Sequence, residues 1–494
     1  MLKQNIVIVG GGTAGWMAAN MLQKKWGCHT KITLVESPDI GIIGVGEGST
    51  PSLKRFFELL DIPEDSWMAK CNATYKVNIR FNGWSPKSGI KSYGHPFVSQ
   101  TDMFVERAFY VNCLTRRLGL AVTTTPEKFF LNGWLANSGL APLASDNFPF
   151  EMVYGYHFDS ELLGDFLRQH AKNLGVVHIS QEVKHVSLKT DGSIHSLTLN
   201  DQTVLNADLF VDCTGLKSLL MQKTLAVPFK SFGNNLFNDS AVVVATEALS
   251  HAPVETQATA ATSGWIWQIP LQHRTGNGYV YSKNFCAPDT AETELRRYLG
   301  LLESNVECRH LRFNTGQVKK HWYKNCLALG LSQGFIEPLE ATALHLVQGA
   351  IELFIEDFER GHFTQKFQDN YNSIITKRFE SVRDYIVAHY KLNTIVDNSY
   401  WFANQENSNI SDDLQCILMK WQQNEDLLSL LPTLQNESHF SIASWHCLFA
   451  GYGIFSPASN NQPSGQHDMF VLNKLDSFFS RCLLNFRKKK YTLQ

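Results

Sequence analysis

Ile6, Val7, Ile8 and Val9 form an unbroken apolar run, the pattern of a short strand buried on both faces. Met17, Ala18, Asn20, Met21 and Leu22 carry a helix behind it, and residues 31–36 predict a second strand. A helix is expected from about 52 to 60. Residues 75–82 alternate strictly, with Tyr75, Val77, Ile79 and Phe81 on one face and Lys76, Asn78, Arg80 and Asn82 on the other. On pattern alone Lys76 is one lysine on a solvated strand face. The stretch 94–149 is irregular apart from a helical pattern near 103–120. A helix over 161–175 then leads to strand-like runs at 176–179, 183–188, 194–199 and 205–211, with the turn Asp191-Gly192 among them.

Residues 241–246 form another apolar strand, whereas 255–263 are small, polar and rich in Ala and Thr, which predicts a loop. Trp265, Trp267 and Ile269 share one face of a strand over 265–270, where a core stripe is the plain expectation. A last buried strand is expected over 326–331. Pro338 then breaks the chain before a helix with Leu344, Val347, Ile351, Phe354, Ile355 and Phe358 on one side. Strand signals fade from about residue 361, 366–435 are helical in pattern, and 445–455 close the compact part.

Composition narrows the class. With 494 residues, 44% hydrophobic and 18% charged, the chain suits two or three folding units of an ordinary globular protein. A formal net charge of −2 gives no global attraction to nucleic acid or to anionic membrane. The basic run Arg487-Lys488-Lys489-Lys490 reads as a solvated tail. No signal-peptide layout precedes the first strand and no apolar run reaches spanning length, so no membrane role and a cytoplasmic location are expected. Ten cysteines stand singly without a C-x-x-C pair, which fits free thiols and no metal site. The 32 phenylalanines and 11 tryptophans suit either a pocket for a planar apolar substrate or plain core packing.

The chemistry starts at Gly10-Gly11-Gly12-Thr13-Ala14-Gly15-Trp16. Glycines 10, 12 and 15 have the G-x-G-x-x-G spacing, between a strand and a helix. The first permits a tight turn, the second admits a pyrophosphate, and the third lets helix and strand pack closely. Glu36 lies about 20 residues on, where a carboxylate can meet a ribose. Together these favour a dinucleotide site over a bare glycine turn. Gly41, Gly44, Gly46 and Gly48 make a second glycine-dense loop, either laid over a ligand or a mobile connection. Asp212 ends a strand at the edge where open α/β sheets bind cofactors. Glu340 precedes a helix, and capping that helix is its simplest role.

Together these pieces resemble the flavin-dependent tryptophan halogenase family. The matching motifs are the glycine motif, Gly44-Val45-Gly46-Glu47, Tyr75-Lys76, His95-Pro96-Phe97, Trp265-Ile266-Trp267-Gln268-Ile269-Pro270 and Glu337-Pro338-Leu339-Glu340. The tryptophan motif is the discriminating one, because related flavin monooxygenases share the glycines but lack it. The resemblance covers most of residues 1–360 and continues weakly to Gly453. It implies an α/β fold: an FAD-binding Rossmann-like module of the glutathione-reductase and flavin-monooxygenase type, with an additional β-sheet and a helical C-terminal substrate unit. The expected division is 1–105 with 150–360 for the FAD module, and 106–149 with 361–494 for the mainly helical substrate-binding unit.

The resemblance also implies a reaction. A separate flavin reductase supplies reduced FAD, and dioxygen and a halide are the co-substrates. Hypohalous acid then travels through an internal passage to an indole-type small molecule. Lys76 resembles the family lysine, which hydrogen-bonds the oxidant or forms a haloamine with it. Glu340 resembles the family glutamate, which orients the oxidant and stabilises the cationic ring. Cofactor contacts are implied for Gly10, Gly12, Thr13, Ala14, Gly15, Glu36, Gly46, Glu47, Asp212, Leu331 and Ile336. Halide contacts are implied for Thr342 and Ala343, and an indole wall for His95 and Phe97. Trp265 and Trp267 are implied to keep organic substrate away from the activated flavin.

Three departures bear on specificity. Glu340-Ala341-Thr342-Ala343 stands where Glu-Ser-Thr-Gly is common, which leaves the choice between bromide and chloride open. Gly48 stands where alanine is common. Residues 426–435 lack the tyrosine pair that holds the amino-acid part of tryptophan in specific members. Free indole, another indole derivative and a peptide-borne tryptophan therefore stay open as substrates, and a homodimer is compatible with everything above. The alternatives are a flavin monooxygenase that hydroxylates an aromatic substrate and a flavoprotein without catalytic activity.

Overall fold

A computed structural model describes residues 4–38, 41, 44, 46–434, 439–455 and 472–488. Ile42, Ile43, Val45, Gln435 and the last two lysines of the basic tail lie outside the described residues. The chain forms two compact units, each assembled from separate stretches. One holds residues 1–73, 158–233 and 313–380, and the other holds 74–157, 234–312 and 381–494. The sequence expectation placed breaks near 105, 150 and 360. The units differ from it chiefly in that the strands at 74–96 and 240–312 belong with the C-terminal helices.

The first unit is built on a six-stranded sheet in the order Trp322–Tyr323, Cys326–Ala328, Leu209–Asp212, Gln4–Val9, Thr30–Glu36, Val177–Ser180. All neighbours are parallel except the first pair. The run Ile6–Val9 is continuously apolar because this central strand is covered on both faces. Val7, Val9, Val35, Phe210, Cys326 and Ala328 pack into one core with Val183, Leu197 and Leu199 of a small antiparallel sheet. The expected strand at 205–211 is two strands, Val204–Asn206 and Leu209–Asp212, in different sheets. The strand expected over 326–331 stops at Ala328 and continues as the short turn Gly330–Ser332.

The second unit carries a seven-stranded sheet, ordered Arg309–Arg312, Ser240–Glu247, Arg274–Tyr281, Gly264–Pro270, Glu255–Ala261, Asn78–Ser85, Ile90–Pro96. Residues 255–261 are therefore a strand and not the expected loop, paired on both edges. The small residues that looked loop-like are what the position needs. Ala258 sits opposite Phe81 on one side and Trp267 on the other, and its carbonyl accepts from Trp84 Nε1 at 3.0 Å. The helix Glu106–Arg117 falls within the helical pattern near 103–120, and a second helix, Leu131–Ser138, occupies part of the stretch expected to be irregular. The aromatic surplus goes largely into this unit's core: the ring of Phe81 stacks on Tyr93 and His389, and Trp84 packs edge-on to Trp401.

A buried ionic cluster ties this sheet together. Arg80 donates to Glu255 at 2.9 Å and to Glu127 at 2.8 Å, Asn78 donates to the other Glu255 oxygen at 2.6 Å, and the Gly94 N–H donates to Glu127 at 2.7 Å. Removing one partner from such a cluster leaves the others charged and desolvated. Arg80→Met is expected to lower unfolding stability by roughly 3 kcal/mol, which a urea titration measures.

Candidate active site

In the first unit the glycine motif takes the expected form. Gly10 has a φ of +111°, and a Cβ there would lie 2.1 Å from the Cys213 carbonyl oxygen, so the turn needs glycine. A Cβ on Gly15 would lie 2.0 Å from the Gly10 carbonyl oxygen, whereas one on Gly12 would meet nothing within 4 Å. Gly12 caps the helix Thr13–Trp26, and no side chain caps that end. Open space beside an uncapped helix start is the arrangement a pyrophosphate requires, so Gly12, Thr13, Ala14 and Gly15 fit the phosphates of FAD.

The neighbouring loops frame this cradle. Glu36 ends its strand against Gly11, where an added Cβ would meet the Glu36 carboxylate, and pairs with His178 at 2.7 Å. Gly330, with a φ of +63°, brings the turn containing Leu331 against Ala14. Asp212 turns inward. Its carboxylate accepts from Thr214, Leu220, Met221 and Ser332 at 2.7–3.0 Å, so the side chain braces the loops after its strand. Gly46 is buried with a φ of +130°, and Gly44 approaches Ser160 so closely that a Cβ would lie 1.8 Å from its hydroxyl. Beside Gly44, the carboxyl of Glu47 is pushed up to about 7 by loss of water and by the nearby Asp159.

Further along this unit lies the turn before the helix Ala343–Arg360. Glu337, Glu340 and Thr342 are buried, Ile336 is 5% exposed, and Ala341 adopts a φ of +56°. Thr342 is the residue at the helix start, its own side chain makes no capping hydrogen bond, and the first turn holds no acid. Glu340 thus sits two residues ahead of that position, inside the turn. Ala343 is exposed. Thr50, just beyond the glycine-dense loop, reaches His345 Nδ1 at 3.3 Å, and burial and nearby arginines push that imidazole down to about 4.

The second unit holds the lysine. Pattern reading put Lys76 on a solvated face of one long strand, but the strand is interrupted at Val77 and Lys76 is fully buried. Val77 bridges the break, donating to the Val254 carbonyl at 2.8 Å and accepting from the Phe97 N–H at 3.0 Å. Phe97 is thereby held with its ring centroid 5.6 Å from Lys76 Nζ. Asn132 fixes the same loop from behind, donating to the Phe97 and Val153 carbonyls at 2.6 and 2.7 Å.

His95 lies one strand over, opposite Ile79, with its ring 6.0 Å from Tyr385. Tyr385 stacks on Phe440 at 3.7 Å and meets Trp445 at 4.9 Å, and its hydroxyl donates to the Ser444 carbonyl. Sequence reading did not single out Tyr385, Phe440 or His157, because each is an isolated ring in a helical or strand pattern. The tryptophan strand adds Trp265 and Trp267 at 6.0 Å, with Trp267 lying over Gly278.

The family model described as "Tryptophan halogenase" matches residues 5–466. This chain belongs to the tryptophan halogenase family. It is a flavin-dependent halogenase with the α/β fold expected. Tryptophan 6-halogenase SttH from Streptomyces toxytricini is 38% identical over 420 residues, 80% of either chain. Tryptophan 7-halogenase RebH from Lentzea aerocolonigenes is 34% identical, across 81% of this chain and 78% of that one. Among solved structures, Xcc4156, a flavin-dependent halogenase from Xanthomonas campestris, superposes with a TM-score of 0.86 at 32% identity, covering 99% and 97% of the two chains. No helix among the described residues of this halogenase is long and apolar enough to cross a membrane.

The Glu47 carboxyl makes a testable contribution. Below pH 4.5 the folded and unfolded chains both hold its proton, whereas between 4.5 and 7 only the folded chain does. Stability therefore falls as pH rises through that window and levels off above it. In the flavin-free protein, Glu47→Gln is expected to match the parent at pH 4 and to exceed it by roughly 1–2 kcal/mol at pH 8, read from urea midpoints.

Proposed function

We propose that this enzyme halogenates the ring of an indole-type small molecule, with bromide or chloride as halogen source, and that Lys76 and Glu340 are its catalytic residues. The observation that carries the reading is the complete burial of Lys76 beside Phe97. When bound, FAD supplied reduced by a separate reductase furnishes, with dioxygen, the oxidising equivalents that turn halide into hypohalous acid. Gly10, Gly12, Thr13, Ala14 and Gly15 hold its phosphates, Glu36 its ribose, and Gly46, Glu47, Leu331 and Ile336 line its path; Asp212 contributes by bracing the adjoining loops.

Halide rests at the start of the helix Ala343–Arg360, where the backbone of Thr342 and Ala343 offers N–H groups and the favourable end of the helix dipole. Lys76 donates a hydrogen bond to hypohalous acid from a site without water, where an ammonium polarises its partner far more strongly than in solution. His95 and Phe97 flank the indole and hold the reacting carbon towards that oxidant. Glu340, in the role that the family resemblance gives it, supplies negative charge that stabilises the positive charge developing on the ring, and so favours the transition state over the ground state.

Relatives named for the 6- and the 7-position of tryptophan show that this fold family does not dictate one ring carbon. In this chain the region that the family resemblance matches to the tryptophan clamp, Asp426 and the helix Leu427–Leu434 among the described residues, contains no tyrosine. That composition favours an indole held by its ring over one held by an amino-acid headgroup.

Three outcomes test the proposal. Lys76→Ala is expected to abolish halogenation while oxidation of reduced FAD continues, and normal halogenation in that variant would remove Lys76 from the reaction. Glu340→Gln is expected to slow turnover by roughly 10²-fold, and a change below about threefold would leave Glu340 a structural role. Mass spectrometry on indole, tryptophan and a tryptophan-containing peptide, with reductase, FAD and each halide, is expected to show isotope-marked product most abundantly from indole. Hydroxylated product without halogen would favour the monooxygenase alternative.

A further inference from the structure

The short strand that ends in Lys76 has one partner in its own unit, the strand Gly155–Phe158, and the pairing is antiparallel. Thr74 lies opposite His157, Tyr75 opposite Tyr156, and Lys76 opposite Gly155. Thr74, Lys76 and His157 therefore share one face of the ribbon, while Tyr75 and Tyr156 share the other. Lys76 faces a residue without a side chain, and the imidazole of His157 stands diagonally beside it as the next side chain on that face.

The hydrogen bonds around His157 define its proton. Thr74 has one hydroxyl proton and gives it to the Pro270 carbonyl at 2.7 Å. Its oxygen is thus left to accept from His157 Nδ1 at 3.1 Å, which places a proton on Nδ1. On the other side Nε2 lies 2.9 Å from the Thr256 hydroxyl and accepts from it. Full burial and the neighbouring Lys76 both oppose a positive charge on the ring. The groups that fix the ring come from three places: Thr74 from the lysine strand, Thr256 from the strand Glu255–Ala261, and Pro270 from the end of the tryptophan motif.

We infer that His157 is a positioning residue for Lys76, locked as the uncharged Nδ1–H tautomer between Thr74 and Thr256. This inference rests on the reading of Lys76 under Proposed function. An uncharged ring in this place fixes the lysine strand without adding a second positive charge beside the ammonium. It also links the tryptophan motif to the lysine: the chain Pro270 carbonyl, Thr74 hydroxyl, His157 imidazole, Thr256 hydroxyl crosses from the motif's last residue to the strand next to it. A lysine that must present its amine at one angle gains from such a tether, because small displacements of a reacting group are costly.

The test combines ring-nitrogen NMR with kinetics. In flavin-free protein labelled with ¹⁵N-histidine, the His157 signal, assigned by its loss in His157→Asn, is expected to report a protonated Nδ1 and a bare Nε2. Thr74→Val is expected to change that signature. A proton on Nε2 alone, or an imidazolium at pH 7, would overturn the inference. In the loaded enzyme His157→Leu and Thr74→Val are expected to lower kcat for halogenation by about tenfold or more, with KM for indole and the rate of reduced-FAD oxidation unchanged. His157→Asn, which keeps a donor towards Thr74, is expected to recover to within about threefold of the parent.

Parent-like kcat in both Thr74→Val and His157→Leu would overturn the inference, as would parallel losses in flavin oxidation and KM, or His157→Asn no better than His157→Leu. If His157→Leu does not fold, Thr74→Val and the NMR signature decide the matter. Lys76→Ala separates the two levels. Normal halogenation there would sink the functional reading, whereas an inactive Lys76→Ala beside fully active Thr74→Val and His157→Leu would sink this inference only.

Discussion

The fully buried amine of Lys76 is the constraint around which the candidate site is arranged. An amine taken out of water is stable only where polar surroundings replace the solvent, and it then acts on its neighbours with little screening. Local backbone geometry fixes the aromatic ring beside it. Breaking the strand at Val77 lets that residue hold two different segments, Val254 and Phe97, so the loop carrying Phe97 is fixed relative to Lys76 by main-chain bonds. The seven-stranded sheet begins immediately after the break, and its ionic cluster of Arg80, Glu127 and Glu255 stiffens the strand that follows.

The generation of oxidant proposed above calls for a different kind of structure. The glycine turn leads into the helix start at Thr13, and a second helix starts at Ala343; neither N-cap residue contributes a side-chain capping bond. Backbone N–H groups at helix starts suit phosphate and halide because they carry partial charge without the reach or reactivity of a lysine. An oxidant that attacks amines is best made among such groups and used where one amine is held ready.

Much of this was legible before coordinates, and the limits have physical causes. The apolar run at Ile6–Val9 and the glycine spacing declare a buried parallel strand and a phosphate turn because both are local in sequence. The W-x-W-x-I-P motif pointed to the family through resemblance, not through periodicity. Alternation misplaced Lys76, since period two reports which face a residue shares and not whether that face meets water. Residues 255–261 looked like a loop because Ala and Thr carry little pattern, and their strand exists only between Phe81 and Trp267. His157 and Tyr385 owe their significance to partners far away in sequence, which no local rule detects. The turn ahead of Ala343, with Ala341 at positive φ, is likewise invisible until backbone angles are known.

The central claim is that oxidant forms beside the flavin and is consumed elsewhere, against Lys76. A crystal structure of the FAD-loaded enzyme with indole bound tests this most directly. The account predicts an indole ring lying against Phe97 with its reactive edge towards the Lys76 amine, and protein standing between it and the isoalloxazine. An indole stacked directly on the flavin ring, away from Lys76, would contradict it.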